Sequence, residues 1–148
     1  MEPRIGWLGS SLPRGTRSTP GRIRHPATRL AELQSAHQPD VWMYRFDWLS
    51  PAFGGSLGAC HALEVPFVFG THDREPLRSM VGPGADGLAA RMRGAWLAFA
   101  RGGEPAHAEL PSWPRYDTER RATLLLGPIC EVVEAPDERE RAFWDEIA

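Results

Sequence analysis

The 148 residues contain no lysine and no asparagine, and only two cysteines. All 17 basic residues are therefore arginine. That is the mark of a GC-rich coding sequence rather than of a phosphate-binding surface. A net charge of −2 excludes a global field that would draw the chain to nucleic acid or an anionic membrane. No apolar run approaches the roughly 18 residues needed to span a bilayer. Cys60 and Cys130 lie far apart and neither sits in a C-x-x-C pair. This excludes a disulfide framework and a cysteine-rich zinc site, and it points to a reducing cytoplasm.

What remains is one domain or a piece of one, 42% hydrophobic. Residues 1–25 hold five arginines, a single acid (Glu2) and many Pro, Gly, Ser and Thr. Such a segment buries too little apolar surface to offset ordering entropy, and it reads as a disordered Arg/Pro/Ser-rich leader. It has no apolar core, so it is not a secretory signal. The folded part is expected over residues 26–148. Pro26 suits a first helical turn, and Leu30, Leu33 and Ala36 recur at helical spacing, predicting a short amphipathic helix over 26–38. "VWMYRFDW" (41–48) is the best strand. Trp42, Tyr44, Phe46 and Trp48 share one face; Val41, Met43, Arg45 and Asp47 share the other. "GADGLAARMRGAWLAFARGG" (84–103) carries Leu88, Met92, Trp96 and Phe99 as a core-facing stripe, with Asp86 as a cap and Gly102-Gly103 as a stop. Residues 122–127 and 129–134 read as two short strands about "GP". Residues 137–148 read as a closing helix with Asp137 and Glu140 as a capping box and Phe143, Trp144 and Ile147 as its buried stripe.

"GGSLGACHALE" (54–64) sets Gly54-x-Ser56-x-Gly58 just ahead of His61. A nucleophile elbow needs a strand running straight into the turn and a helix following at once. Here "LSPAF" separates the strand from Gly54, Pro66 forbids a long helix after Gly58, and no acid lies between Ser56 and His61. Ser56 is thus a weak nucleophile candidate. His61 is stronger, because it stands on a glycine-rich loop soon after a strand, where catalytic groups are often held. Cys60, His61, Glu64, His72 and Asp73 carry metal-ligand chemistry, but their spacing matches neither H-E-x-x-H nor a paired Cys/His set. No metal and no cofactor is expected, and His72-Asp73 is read as an exposed turn.

"YRFDW" followed by "GACHALEVPFVFG" resembles the type-B carboxylesterase/lipase family, the cholinesterase-like and para-nitrobenzyl-esterase-like α/β-hydrolases. A Y-x-F strand there precedes G-x-x-H-G-x-E-x-x-[YF]-V-F-G. Gly58, His61, Glu64, Phe67, Val68, Phe69 and Gly70 match in register, and Ala62 replaces the usual glycine. Because a small residue is kept there, little harm is expected. The match continues through Trp96-x-x-Phe99, Gly103-x-Pro105, Trp113-Pro114-x-Tyr116, the two short strands and Phe143-Trp144. It covers about residues 22–148.

The resemblance implies an α/β class chain, the C-terminal fragment of an α/β-hydrolase fold: one late sheet strand, the catalytic-His loop, a long amphipathic helix, two short strands and a closing helix. It implies a serine esterase with a Ser-His-Glu/Asp triad. His61 would be its catalytic base and Glu64 a supporting group, not the triad acid. The nucleophile and the acid would lie upstream, so this chain alone would be inactive and would need the missing N-terminal portion as partner. Its substrate would be a small ester, with no nucleic acid and no membrane span involved. Without that portion, one edge of the strand at 41–48 would lack a neighbour and its aromatic face would lack part of its cover. Two other readings stay open: a non-catalytic carboxylesterase-like interaction module, and a small autonomous hydrolase using Ser56 and His61.

Overall fold

A computed structural model describes residues 23–147. The chain order is α1 (His25–Ser35), β1 (Met43–Phe46), a tight turn at Ala52–Gly55, α2 (Val65–Phe69), α3 (Leu77–Val81), α4 (Asp86–Gly102), β2 (Thr123–Leu126), β3 (Glu131–Val133) and α5 (Glu138–Ile147). Of the predicted leader, residues 1–22 lie outside the described residues; His25 is the first residue of α1.

The aromatics Tyr44 and Phe46 mark β1 and the apolar run Leu124–Leu126 marks β2, and the two pair in parallel with Met43 opposite Thr123 and Phe46 opposite Leu126. A parallel pair needs a long crossover, and α2 to α4 supply it. β3 pairs antiparallel with β2 through the short turn around Gly127-Pro128. The sheet order is β1-β2-β3, so among the described strands β1 has β2 as its single neighbour.

Period-two alternation sends β1 side chains to two cores. Trp42, Tyr44 and Phe46 join Leu124, Leu126, Leu63, Phe67 and the inner residues of α4, namely Leu88, Ala89, Met92 and Ala95. Val41 and Met43 join Ala27 and Ala31 of α1, with Tyr116. Contrary to the expected partial loss of cover, Trp42, Tyr44 and Phe46 are buried, and Trp48 alone is half-buried. Tyr44 meets Trp96 edge-on at 5.1 Å, Trp42 meets Phe99 at 5.8 Å, and Phe46 meets Phe67 at 5.1 Å. The chain's own α4 and α2 supply those rings. The Trp113-Pro114-x-Tyr116 segment runs beside β1. The Trp113 indole Nε1 donates to the Met43 carbonyl at 3.0 Å, and the Tyr116 amide donates to Val41 O at 2.7 Å.

Two helices pack differently from their predicted stripes. In α1 the buried residues are Ala27 and Ala31, whereas Leu30, Leu33 and Ala36 are exposed. The i, i+4 alanines let the helix backbone approach β1 closely, and the leucines then point away. In α5, Phe143 is exposed and Trp144 half-buried. The Asp137 carboxylate serves Arg45 at 2.7 Å and Arg24 at 2.9 Å. α4 follows its pattern, and Gly103 ends it in the left-handed region with its N–H on Phe99 O at 2.8 Å. Asp86 is the first residue of that helix rather than a cap, and its carboxylate is turned to His72.

Candidate active site

The chain leaves β1 under tight control. The Asp47 amide still donates to Leu126 O at 2.8 Å, and the Trp48 indole donates to Val81 O at 2.8 Å. Ser50 is buried; its hydroxyl donates to Met80 O at 2.5 Å and accepts from the Ala52 amide at 3.2 Å. The Ser50 amide donates to Gly58 O at 3.0 Å, which closes the loop of residues 50–58 at its base. His61 follows three residues later. Ala59 and Leu63 are buried on either side of it, while His61 itself is exposed. Hydrogen bonds from Leu63 N to Cys60 O and from Val65 N to Ala62 O, both 3.2 Å, shape the turn. The next bond, Phe67 N to Glu64 O at 3.0 Å, is already the first of α2. The imidazole is therefore presented to solvent on a turn whose neighbours are fixed in the core.

Ala62 has φ 66°, inside the left-handed region. Its small size was expected to make it a harmless replacement for glycine. Size is not the issue there: in that region any Cβ crowds the following carbonyl, at about 1–2 kcal/mol.

Glu64 is half-buried at the entry to α2. Burial pushes the Tyr44 phenol far up from its ordinary value, and the Glu64 charge adds to this. Burial likewise raises the Cys60 thiol; its own backbone lowers it, and Glu64 raises it further. The Glu64 carboxylate thus lies within electrostatic reach of both, and Cys60 is disfavoured as a thiolate nucleophile. Among the described residues, the Glu64 carboxylate, the His61 ring and the Ser56 hydroxyl make no hydrogen bond. Ser56 is exposed, its amide on Phe53 O at 3.4 Å, and no helix follows it directly. No hydrogen bond joins it to His61.

His72 lies in a turn after α2, as expected, but the turn does not expose its ring. Its side chain is 14% exposed, and Nε2 lies 2.9 Å from Asp86 Oδ1. Asp73 is exposed. Among the described residues no three His, Cys, Asp or Glu side chains converge as a metal-ligand set. Sequence reasoning missed the His72–Asp86 pair, because residues 14 apart on a loop and a helix start carry no shared pattern.

A parallel strand pair with helices on both faces, and a histidine turn just beyond a strand, make this an α/β chain, and the solved structures it superposes on are α/β-hydrolase esterases. The profile described as the Carboxylesterase family matches residues 19–144, and the chain belongs to that family. It is similar to a para-nitrobenzyl esterase of Bacillus subtilis (strain 168), 37% identical over 118 residues, covering 78% of this chain and 24% of that protein. It is also similar to a phenmedipham hydrolase of Pseudarthrobacter oxydans, 37% identical over 103 residues, covering 67% and 21%. A carboxylesterase of Geobacillus stearothermophilus superposes with a TM-score of 0.71 at 40% identity, covering 82% of this chain and 25% of that one. The chain thus spans about a quarter of the length of these relatives.

Proposed function

We propose that this chain is the histidine-bearing part of a carboxylic ester hydrolase, with His61 as general base. The nucleophilic hydroxyl and the acid of the triad are supplied from family architecture outside these 148 residues, and the chain alone does not turn over ester. Its partner in catalysis is that remaining portion, and its substrate is a carboxylic ester. One imidazole nitrogen takes the proton of the serine hydroxyl as that oxygen attacks the ester carbonyl. The same nitrogen then gives the proton to the departing alcohol. Glu64 is assigned a supporting place at the entry to α2, within electrostatic reach of Tyr44 and Cys60, and not the place of the triad acid.

The observation that carries this reading is the exposure of His61 on a turn locked by buried Ala59 and Leu63, inside the stretch that matches the family. The test is to combine the chain with a polypeptide comprising the remainder of a related esterase and to follow p-nitrophenyl acetate hydrolysis. The expected result is activity in the mixture alone, reduced at least about 100-fold by His61→Ala. Ester cleavage by the purified chain, abolished by Ser56→Ala, would overturn it.

A further inference from the structure

α2 has five residues, too few to be stable by itself, so its position is set by what packs on it. It also sets the position of the His61 turn, whose hydrogen bonds run without a break into it. Three features fix it. Phe67 is fully buried, with its ring 5.1 Å from Phe46 and 5.5 Å from Trp48. Gly70 reverses the chain at φ 64°, and the Thr71 amide closes back on Pro66 O at 2.9 Å. The third is His72. Its ring stacks on Phe67 at 6.0 Å and 23°, and Nε2 reaches Asp86 Oδ1 at the start of α4. His72 Nδ1 is buried without a partner among the described residues, so the Asp86 bond is the ring's one hydrogen-bond tie there. The Asp86 side chain is 92% exposed.

We propose that His72, tied to Asp86, is a positioning residue for His61: it presses Phe67 onto β1, holds α2 against α4, and so keeps the turn of residues 60–64 in one conformation. Ala62, at φ 66°, keeps the turn in a strained backbone that the packing around it must hold. The role assigned to His61 rests on the esterase reading; the brace itself does not.

The experiment uses the full chain and needs no ester. Amide hydrogen exchange is measured for Leu63, Val65 and Phe67, with Leu124 and Leu126 of β2 as reference, and the His61 Cε1–H resonance is recorded by NMR. In both Asp86→Ala and His72→Ala the turn amides are expected to exchange about tenfold faster, the loss of one hydrogen bond. The His61 resonance should shift and the β2 amides should stay unchanged. Asp86→Asn keeps an oxygen acceptor and should restore the turn. Because Asp86 is exposed, Asp86→Ala folds even if His72→Ala does not. Unchanged turn amides in Asp86→Ala, or equal acceleration in β2, would overturn the proposal. Absence of esterase activity in any mixture would bear on the preceding section and leave this result standing.

Discussion

At position 62 a methyl group occupies a backbone conformation that only glycine adopts freely, and eight residues later Gly70 sits in the same region with φ 64°. The two positions bracket α2 and make a matched pair. Ala62→Gly is expected to stabilise the chain by about 1 kcal/mol, less the entropy that glycine adds to the unfolded state. Gly70→Ala is expected to destabilise it by about 1–2 kcal/mol. Its Cβ would also lie 2.6 Å from the Arg93 guanidinium, which must move aside. Urea unfolding of the two variants, with opposite signs, checks both. Residue size was legible from the sequence at position 62; the sign of φ was not, because an alanine there carries no local signal for the left-handed region.

Among the elements, α5 and α2 are held by opposite means. α2 is anchored by buried Pro66 and Phe67, and Phe67 is the larger, so Phe67→Ala is expected to cost about 3–5 kcal/mol and to loosen the His61 turn first, visible as a loss of protection at Leu63 and Val65. α5 has no buried side chain among its described residues. Ion pairs from Arg24 to Asp137 and Glu140 at 2.9 and 3.0 Å and from Arg121 to Glu138 at 3.7 Å fasten it, with a hydrogen bond between His25 Nε2 and Asp145 at 2.9 Å. Within the helix, Arg141 pairs with both Glu138 and Asp145. The Arg141 hydrogen bond holds Glu138 below its ordinary 4.5, and the His25 hydrogen bond holds Asp145 below 3.8. A carboxyl lowered in the folded state stabilises it above the unfolded value and loses that effect as pH falls through the folded one. α5 is therefore expected to loosen below about pH 4. It should also loosen in 1 M salt at neutral pH, where the screening length is about 3 Å. A change in Trp144 fluorescence at both conditions, with near-UV circular dichroism of the core unchanged, is the outcome to look for.

For the whole molecule, the elements that local pattern governs were legible: β1 from its alternating aromatics, α4 from Leu88, Met92, Trp96 and Phe99, and the β2–β3 hairpin from its apolar runs around Gly127-Pro128. The His61 turn was legible through its glycines and its register with the family. What was illegible depends on partners far along the chain. Leu30 and Leu33 outweigh Ala27 and Ala31 in any apolar count, yet the alanines are buried because β1 comes close. Arg45 looked like a charge on a half-covered strand face; it pairs with Asp47 beside it and with Asp137, 92 residues away. The same separation governs how the chain comes into being. β1's described strand neighbour is β2, encoded near the other end of the sequence. Ribosomes add roughly 5–20 residues per second, so a nascent Met43–Phe46 passes several seconds with its tryptophan- and phenylalanine-rich flanks awaiting Thr123–Leu126. During synthesis that segment is the natural stretch for a chaperone to grip.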